Sequence, residues 1–536
     1  MELGMSHRGE HSEIETFLGQ SVDSELSGNM IDICPVGALT SKPFRYHART
    51  WELSRRKSVA AHDSSGANLI VQVKNNQVQR VVPLENEEVN ECWIADRDRF
   101  SYEALNTTER LTQPMLKQGG QWKEVDWQTA LEYVANGLKN IQRDHGAASI
   151  GALVSPHSTL EEAYLAGSLL RGLGSDNVDA RLRRAEFVTG EGVQWLGTSI
   201  ASLSTLQRVL VVGSNLRKDH PLFAQRIRQA VRHGAQVNAI ASAAQQAQAW
   251  ALPVANNVVT DASGWAQALA DVAAAIAAEK GVAAPATGNA TAQAQAIAKS
   301  LLGGERKAVL LGNGAAHHAN ASSLLVLANW IGEQTGATVG YLTEAANTVG
   351  AQWAKAQPQS GGKNAAQMLD GSLKAAILLN TEPEFDTAAG AAAVAALDKA
   401  EMVVTLSPFK ANMAFSDVLL PIAPFTETSG SFVNAEGRLQ SFHAVVKPRG
   451  ETRPAWKVLR VLGNLLDVPG FNFETSQDVL AKVTAQPLQL SNAIRAEVRL
   501  GGSVSEPAVA AIYQLDGIVR RAASLQQTAD ARKEVA

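Results

Sequence analysis

Cysteine is scarce in this sequence: among 536 residues only Cys34 and Cys92 carry a thiol. Two thiols exclude a disulfide-rich scaffold. They also exclude an iron–sulfur cluster or a four-cysteine zinc site made by this chain alone, because each of these sites needs four ligands. The chain can therefore contribute at most part of such a site.

An excess of one charge and a long apolar run are also missing. The sequence has 48 Lys and Arg against 52 Asp and Glu, a net charge of −4, whereas a nucleic-acid-binding protein needs a basic excess to neutralise phosphates. No run reaches the roughly 18 apolar residues of a transmembrane helix, and the polar, acidic first fifteen residues do not form a signal peptide. The 45% hydrophobic content is typical of a globular chain with a large core, and the length predicts three to four domains.

Two local patterns predict secondary structure directly. In residues 68–83 apolar and polar residues alternate on both sides of Asn75-Asn76, which predicts a β-hairpin because asparagine tolerates the positive φ of a tight turn. In residues 126–146 apolar residues recur at helical spacing, with Asp126 as the expected N-cap and Gly146 as the expected C-cap.

After residue 146, apolar strands alternate with helices; the predicted strands are 149–155, 208–215, 307–314, 374–383 and 401–409. Strands without internal alternation, separated by helices, indicate parallel sheets covered on both faces. The sequence therefore predicts an α/β fold with at least two doubly wound layers.

The helices of this region have expected boundaries as well. Ser158 with Glu161 fits a capping box, Pro221 suits a first helical turn, and a helix is expected around 386–399. The Ala- and Gln-rich stretch 235–300 predicts small-residue helices and a loop. The residues after about 490 predict a peripheral helix or tail.

The cysteines are the first candidates for chemistry. Cys34 precedes Pro35, and a Cys-Pro dipeptide ends the ferredoxin-type cluster motif, in which the proline turns the chain away from the cluster. The dipeptide alone favours the alternative, a buried and inert cysteine before a turn. Cys92 has no second cysteine at metal-ligand spacing, so a small buried side chain is favoured there too.

The glycine loops 211–215 and 310–316 follow predicted strands, which is where doubly wound folds bind nucleotides. Neither is a G-x-G-x-x-G or Walker A sequence, so ordinary turns are favoured. His317 and His318 are adjacent and point in different directions, which makes them a poor metal pair.

Two carboxylates, Asp417 and Glu427, lie on either side of the apolar stretch VLLPIAPFT. They could form a charged cluster that lines a cleft. Solvated or capping carboxylates are the favoured interpretation.

Three longer stretches are more specific than any of these features: SELSGNMIDICPVGALTSKPFRYHARTWEL (24–53), VNECWIADRDRFSYEAL (89–105) and SDVLLPIAPFTETSGSFVNAEGRLQ (416–440). Together they resemble the large iron–sulfur subunit of respiratory complex I, the proton-pumping NADH–quinone oxidoreductase. The third stretch is shared with the wider molybdopterin oxidoreductase family. The resemblance runs from the first residues to about 465.

The resemblance implies a molybdopterin oxidoreductase-like core of doubly wound parallel sheets, preceded by a small β-rich module and the remnant of an iron–sulfur domain. The expected domains are the remnant of the cluster domain (1–50), the module that carries a [4Fe–4S] cluster in relatives (51–107), the α/β core (108–465) and a C-terminal extension (466–536).

In that family the cysteine of the CPVGAL stretch is the last ligand of a [4Fe–4S] cluster, so the resemblance implies that Cys34 binds iron. Its three companion cysteines belong upstream and this chain has none, so we expect an N-terminal truncation, with a [2Fe–2S] cluster only in the missing part. Cys92 matches the last cysteine of an additional cluster. The stretch before it holds no partner cysteine, so we interpret Cys92 as a remnant of a lost site.

The resemblance also bears on molybdenum. In molybdenum-containing relatives a Cys, selenocysteine or Ser binds the metal; here that position aligns with Ala185, and Glu186 replaces the usual histidine. A methyl group cannot coordinate a metal. We therefore expect no molybdopterin, and the two glycine loops would be inherited cofactor loops without a cofactor.

The implied function is electron transfer from NADH toward quinone, with the isolated chain inactive. The expected partners are the other peripheral-arm subunits of complex I, including the NADH-binding flavoprotein subunit. Nucleic acid and a direct membrane span are not expected, and the expected location is the cytoplasmic face of the bacterial inner membrane. The alternatives are a free-standing, formate dehydrogenase-like molybdopterin oxidoreductase and a non-catalytic scaffold.

Overall fold

The computed structural model describes residues 3–19, 21–187, 190–501 and 504–532. In chain order its strands are β1 (Leu3–Ser6), β2 (Glu13–Thr16), β3 (Ser54–Val59), β4 (Asn68–Lys74), β5 (Gln77–Pro83), β6 (Met115–Gln118), β7 (Gln121–Glu124), β8 (Ile150–Val154), β9 (Val178–Asp179), β10 (Arg208–Val212), β11 (Gln236–Ala241), β12 (Asn256–Val259), β13 (Lys307–Leu311), β14 (Thr338–Tyr341), β15 (Ala375–Leu379), β16 (Met402–Ser407), β17 (Val418–Pro421), β18 (Gly430–Val433) and β19 (Leu439–Phe442).

The α-helices are α1 (Asn29–Ile33), α2 (Asp96–Phe100), α3 (Trp127–His145), α4 (Leu160–Gly172), α5 (Leu216–Asp219), α6 (Pro221–Arg232), α7 (Ala243–Ala247), α8 (Trp265–Lys280), α9 (Ala292–Leu302), α10 (Asn313–Ala316), α11 (Ala321–Thr335), α12 (Thr348–Trp353), α13 (Ala365–Met368), α14 (Pro383–Asp386), α15 (Ala391–Leu397), α16 (Ala455–Leu465), α17 (Ser476–Thr484), α18 (Ala523–Gln526) and α19 (Ala529–Arg532).

Two sheets with parallel strands form the core. One has the order β12-β11-β10-β13-β14 and is parallel throughout. The other has the order β7-β6-β17-β16-β15-β8-β9 and is parallel except for the antiparallel pairs of β6 with β17 and with β7. The strands of the first sheet all lie between β9 and β15 in sequence, so this sheet is an insertion into the second.

The central strand β10 shows why both sheet faces are covered. Leu210 and Val212 pack with α8, α9 and α11, whereas Val209 and Val211 pack with α6 on the opposite face. Side chains alternate between the faces of a strand, so an unbroken apolar strand needs helices on both sides. The predicted doubly wound layers are confirmed.

The predicted hairpin and the first long helix are also confirmed. β4 and β5 join through Asn75 and Asn76, whose φ angles are 52° and 59°, and they form an antiparallel sheet with β3. In α3 the Asp126 carboxylate accepts a hydrogen bond from the Thr129 amide at 2.8 Å, as an N-cap does, and Gly146 ends the helix.

Some predicted boundaries were wrong. The capping box of α4 is Thr159 with Glu162, one residue later than expected, because the pattern fits both registers and Glu161 instead accepts a hydrogen bond from the Ser431 amide. The single helix expected around 386–399 is two short helices, α14 and α15, with Gly390 at a φ of 53° between them.

The prediction for 235–300 missed two strands. β11 and β12 extend the first sheet beyond β10, and the Ala- and Gln-rich composition around them obscured their short apolar runs.

The C-terminal residues are not a peripheral tail. Asp516 accepts a hydrogen bond from His62 at 2.7 Å, Arg520 pairs with Asp386 at 2.9 Å, and Asp530 pairs with Lys218 at 2.7 Å. Residues 515–530, which we call the returning segment, therefore contact the β3–β5 module and both large sheets. Its contacts are polar and far apart in sequence, so hydrophobic periodicity could not reveal them.

Glu427 is a buried partner rather than the expected solvated or capping group. Its two oxygens accept hydrogen bonds from the two terminal nitrogens of Arg110 at 2.8 and 2.9 Å, and both side chains are buried. Asp417, in contrast, is half-buried and accepts a hydrogen bond from the Val403 amide at 2.8 Å. The Arg110–Glu427 pair links the residues that follow the β3–β5 module to the core.

We expect Glu427→Gln to destabilise the chain by about 3 kcal/mol or more, because breaking a buried pair leaves the Arg110 guanidinium without its counter-charge. Denaturant unfolding of the purified full chain measures this loss. Asp467→Asn is the matched control, since it breaks an exposed pair with Lys139 and should cost about 1 kcal/mol or less. Equal losses for the two variants would contradict the assignment.

Candidate functional site

Cys34 lies at the end of α1, a helix of one and a half turns. Its amide donates a hydrogen bond to the Met30 carbonyl at 3.1 Å, and its backbone is extended at φ −68° and ψ 113°. The extended conformation is the one that a residue before proline favours. Cys34 is partly exposed, so the alternative of a buried, inert cysteine is wrong.

The loop after Cys34 curls around the sulfur. Backbone N–H groups of Leu39, Val36 and Ala38 lower the pKa of the Cys34 thiol below its ordinary value, because they stabilise the thiolate more than the thiol. In the thiol form the Sγ lies 2.9 Å from the Val36 carbonyl. A thiolate is the form that binds iron, so this loop favours metal ligation at Cys34.

The Cys34 segment is fastened to the β3–β5 module through α2. The Asp96 carboxylate accepts hydrogen bonds from the Gly28 amide at 2.7 Å and from the Ser27 hydroxyl at 2.6 Å. The Arg99 guanidinium pairs with Asp32, which lies two residues before Cys34. Residues at both ends of α1 are therefore held by one short helix.

No motif in the sequence marked Asp96 and Arg99 as residues that hold the Cys34 segment. The signal was the run Asp-Arg-Asp-Arg at 96–99, where four consecutive charges stand beside an apolar segment. All four side chains are buried, although charged residues are rarely buried without partners. Such a run predicts a network of ion pairs only when the helix that carries it is buried, and the sequence pattern does not show that burial.

Cys92 does not lie in a buried site. It is exposed, which contradicts the expected small buried side chain, and partial desolvation raises the pKa of its thiol. Among the described residues, no group of three or more potential metal ligands contains either cysteine.

The buried loop 60–67 of the module holds an ion pair. Asp63 pairs with Arg97 at 2.5 Å, and each side chain is 1% exposed. Burial raises the pKa of Asp63, but Arg97 and Ser65 outweigh it and lower the pKa to about 2.

Asp98 is the unusual member of this network. It is 1% exposed, and within the part of the chain that the structure describes neither of its carboxylate oxygens has a hydrogen-bond partner. Burial, together with the nearby charge of Asp63, raises the pKa of Asp98 to about 7. The folded chain therefore disfavours the ionised form of this carboxyl group.

The carboxyl ends of the two large sheets meet at a crevice. Residues 155–157 follow β8, and Asn313 and Glu344 follow β13 and β14. Doubly wound folds bind ligands outside the carboxyl ends of their strands. The crevice is thus the place where this fold would bind a nucleotide-like cofactor.

Charged side chains of this chain occupy much of the crevice. Arg183 pairs with Glu344 at 3.0 Å and with Asp386 at 3.3 Å, and Arg520 of the returning segment also pairs with Asp386. Leu515 of the same segment lines the cavity beside Arg183, which has a volume of about 50 Å3. The two nearby arginines have partners too: Arg181 pairs with Asp179 and Arg184 donates to Gln194.

The two glycine loops contact each other. The Gly314 amide donates to the Gly213 carbonyl at 3.0 Å, and the Gly312 amide donates to the Val212 carbonyl at 2.8 Å. A Cβ atom on Gly312 would lie 2.2 Å from the Cβ of Ser214. The glycines therefore permit close packing of one loop on the other, as the favoured interpretation of ordinary turns predicts.

The adjacent histidines bind backbone carbonyls instead of a common metal. A ring nitrogen of His317 lies 2.8 Å from the Ala508 carbonyl, and one of His318 lies 2.9 Å from the Ala262 carbonyl.

Three family models match the chain. The molybdopterin oxidoreductase model matches residues 110–465. The chain belongs to the molybdopterin oxidoreductase family. The ferredoxin-like domain of NADH-quinone oxidoreductase subunit 3 matches residues 1–40, and the NDSU1/NuoG-like 4Fe-4S domain of NADH-ubiquinone oxidoreductase matches residues 53–103.

Curated relatives within this family bear similar names. The chain is 41% identical over 234 residues to the G subunit of the NADH-quinone oxidoreductase of Rickettsia felis, covering 44% of this chain and 34% of that protein. It is 28% identical over 475 residues to the mitochondrial NADH-ubiquinone oxidoreductase 78 kDa subunit of Candida albicans, covering 87% and 60%. The chain thus spans between about one third and three fifths of these two proteins. The predicted resemblance to the complex I subunit is confirmed.

A solved structure supports the fold class. Acetylene hydratase from Pelobacter acetylenicus has a TM-score of 0.52 and 13% sequence identity, with 80% of this chain and 72% of that chain covered. At this identity the likeness concerns the fold alone, and it confirms the predicted molybdopterin oxidoreductase-like architecture.

The family name implies a molybdopterin, and the residue at the metal-ligand position does not fit one. The cavities beside Arg183 and beside His157 have volumes of about 50 and 60 Å3, but an adjoining cavity lined by Arg181, Arg184 and Gln194 has a volume of about 470 Å3, so space alone does not exclude an organic cofactor. At the position that aligns with the metal ligand, Ala185 is exposed and offers only a methyl group. Glu186 accepts hydrogen bonds from the amide and hydroxyl of Ser322 at 2.7 Å, next to the start of α11.

The raised pKa of Asp98 predicts the direction in which the stability of the chain changes with pH. Since folding raises its pKa from about 4 toward 7, the folded chain binds this proton more tightly than the unfolded chain does. The contribution of Asp98 to the free energy of unfolding therefore falls as the pH rises from about 4 to about 7. We expect Asp98→Asn to unfold at a higher temperature than the wild type at about pH 8, with a smaller difference at about pH 5.

Asp63→Asn is the matched control for Asp98→Asn, because the pKa of Asp63 is lowered instead. Its ionised form is stabilised by Arg97, so this variant should unfold at a lower temperature than the wild type at about pH 8. Calorimetry of the three proteins at both pH values measures these shifts. A larger loss of stability at the higher pH than at the lower pH in Asp98→Asn would contradict the account.

Proposed function

We propose that this chain is an electron-transfer subunit of an NADH–quinone oxidoreductase and that Cys34 provides one ligand of a [4Fe–4S] cluster. The single observation that carries the proposal is the Cys34 loop. Its N–H groups lower the pKa of the thiol, and the loop lies in the segment that matches a ferredoxin-like domain.

The residues around Cys34 would have separate tasks. When bound, a [4Fe–4S] cluster accepts and releases one electron at a time. The Cys34 thiolate would hold one iron, and the N–H groups of Leu39, Val36 and Ala38 would stabilise negative charge on the sulfur and thereby raise the reduction potential. Asp96 and Arg99 would fix the distance from the Cys34 sulfur to the module, since they bind both ends of α1.

A complete site needs three further thiolates, and the other cysteine of this chain, Cys92, is exposed and distant in sequence. The missing ligands would come from polypeptide beyond the sequence given. The names of the relatives separately support assembly with other peripheral-arm subunits, among which we propose the NADH-binding flavoprotein subunit. The proposed location is the cytoplasmic face of the bacterial inner membrane.

The structure is consistent with peripheral attachment in one respect. Of the helices in the described residues, none is long and apolar enough to pass through a bilayer.

A scaffold without electron transfer is the second candidate, and the presence of one cluster cysteine in place of four favours it. A free-standing molybdopterin oxidoreductase has no such support, because Ala185 offers no ligand at the position that aligns with the metal ligand.

We expect Cys34→Ala, introduced into the complete respiratory complex, to abolish one [4Fe–4S] signal in the EPR spectrum of the NADH-reduced complex. NADH–quinone activity should fall about tenfold or more, since loss of even an indirect metal contact commonly costs that much. The matched control is Cys92→Ala, which should leave the spectrum and the activity unchanged because Cys92 has no partner ligands. An unaltered spectrum in Cys34→Ala would refute the cluster assignment and leave the scaffold.

A further inference from the structure

The residues that follow the Cys34 loop concentrate positive charge. Within residues 42–57, the basic segment, six side chains are Lys or Arg and one is Glu, which gives a net charge of +5 in a chain whose net charge is −4. The basic residues are Lys42, Arg45, Arg49, Arg55, Arg56 and Lys57. A segment of opposite sign to its own chain would ordinarily bind the acidic groups around it.

These cations are not neutralised within the chain. All six are exposed, and none forms an ion pair within 4 Å with a carboxylate of the described residues, whereas Glu52 pairs with Lys74 from outside the segment. Among the described residues the guanidinium of Arg45 donates to the Thr40 hydroxyl. Six unpaired cations at close spacing repel one another, and an acidic partner would relieve this repulsion.

In β3, the strand within the basic segment, side chains on both faces are exposed. In β3 the first four residues, Ser54–Lys57, are all exposed, although the opposite residues Ile70–Val73 of β4 are buried. Side chains alternate between the faces of a strand, so a strand packed on one side would show alternating burial. This end of β3 is therefore an exposed edge of the module's sheet.

Two large aromatic side chains stand among the cations. Tyr46 is 97% exposed and Trp51 is 82% exposed. Large aromatic residues are seldom so exposed without a ligand or partner, and Trp, Tyr and Arg are the residues enriched in the energetically dominant parts of protein–protein interfaces.

We propose that the basic segment is a docking surface for an acidic face of another polypeptide in the assembly. This inference rests on the proposed function. Guanidinium groups bind carboxylates in a bidentate geometry, and four of the six cations are arginines. The segment is a loop, a short 3-10 turn at Thr50–Glu52 and a strand. It is not the amphipathic helix with which proteins bind anionic lipid surfaces.

Zero-length carbodiimide cross-linking tests the docking surface, because the reagent joins a lysine amine only to a carboxylate that it contacts. The sample is the complex purified through a tag on the full chain. We expect cross-links from Lys42 and Lys57 to Asp or Glu residues of a second polypeptide. A cross-link between Lys139 and Asp467, which lie 2.8 Å apart, is the positive control for the reaction. The exposed Lys482, which lies outside the basic segment, is the negative-control lysine.

The variant Arg55→Glu/Arg56→Glu tests the charge directly. It should weaken recovery of the other subunits about tenfold or more at physiological salt, since each close charge pair at an interface is worth at least a factor of about ten. Its melting temperature should match the wild type, because both side chains are exposed. Arg228→Glu/Arg232→Glu, which reverses two charges on the outer side of α6, should leave recovery unchanged.

Three outcomes would overturn the inference. If other subunits are recovered but Lys42 and Lys57 form no cross-links to them, the docking surface is wrong while the proposed function stands. If the tagged chain is recovered alone even at low salt, both fail. Binding of the wild type, but not of Arg55→Glu/Arg56→Glu, to phosphatidylglycerol vesicles without recovery of an acidic partner would assign the segment to a lipid surface instead.

Discussion

The buried charges of α2 are the constraint on which the rest of this structure depends. Asp96 and Arg99 bind the segment that carries Cys34. Arg97 pairs with Asp63 of the module and donates to the Asp219 carbonyl at the end of α5, the helix after β10, at 3.0 Å. Burying charges is unfavourable unless they are compensated; Asp96, Arg97 and Arg99 have partners, whereas Asp98 has none among the described residues and its ionised form is disfavoured. The N-terminal segment, the module and the core therefore meet at this one helix, and Cys34 is placed by contacts that its neighbours in the N-terminal segment make.

The same principle explains the crevice between the sheets. A doubly wound fold leaves a cavity at the carboxyl ends of its strands, and in this chain the cavity is partly filled by ion pairs that involve Arg183 and by the returning C-terminal segment. A guanidinium can be buried there because Glu344 and Asp386 supply counter-charges.

Regular elements were predictable because hydrophobic periodicity and local turn chemistry encode them. The hairpin at Asn75-Asn76, the helix α3 and the buried strand β10 needed no information from distant residues. The fastening of Cys34 and the path of the C-terminal segment were not predictable, since polar contacts such as His62–Asp516 join residues hundreds of positions apart. Cys34 itself was found through the motif around it, while the exposure of Cys92 and the burial of Glu427 depend on packing that no short pattern reports.

Hydrogen–deuterium exchange of the full chain with the substitution Asp96→Ala tests the central claim most directly. If Asp96 holds the Cys34 segment, amide protection in residues 24–34 should fall sharply, while strand β15 in the core exchanges as slowly as in the wild type. The exposed carboxylate Asp144 offers a matched control, because Asp144→Ala should leave residues 24–34 protected. Unchanged protection of residues 24–34 in Asp96→Ala would contradict the account, since the segment would then be held without the buried charges of α2.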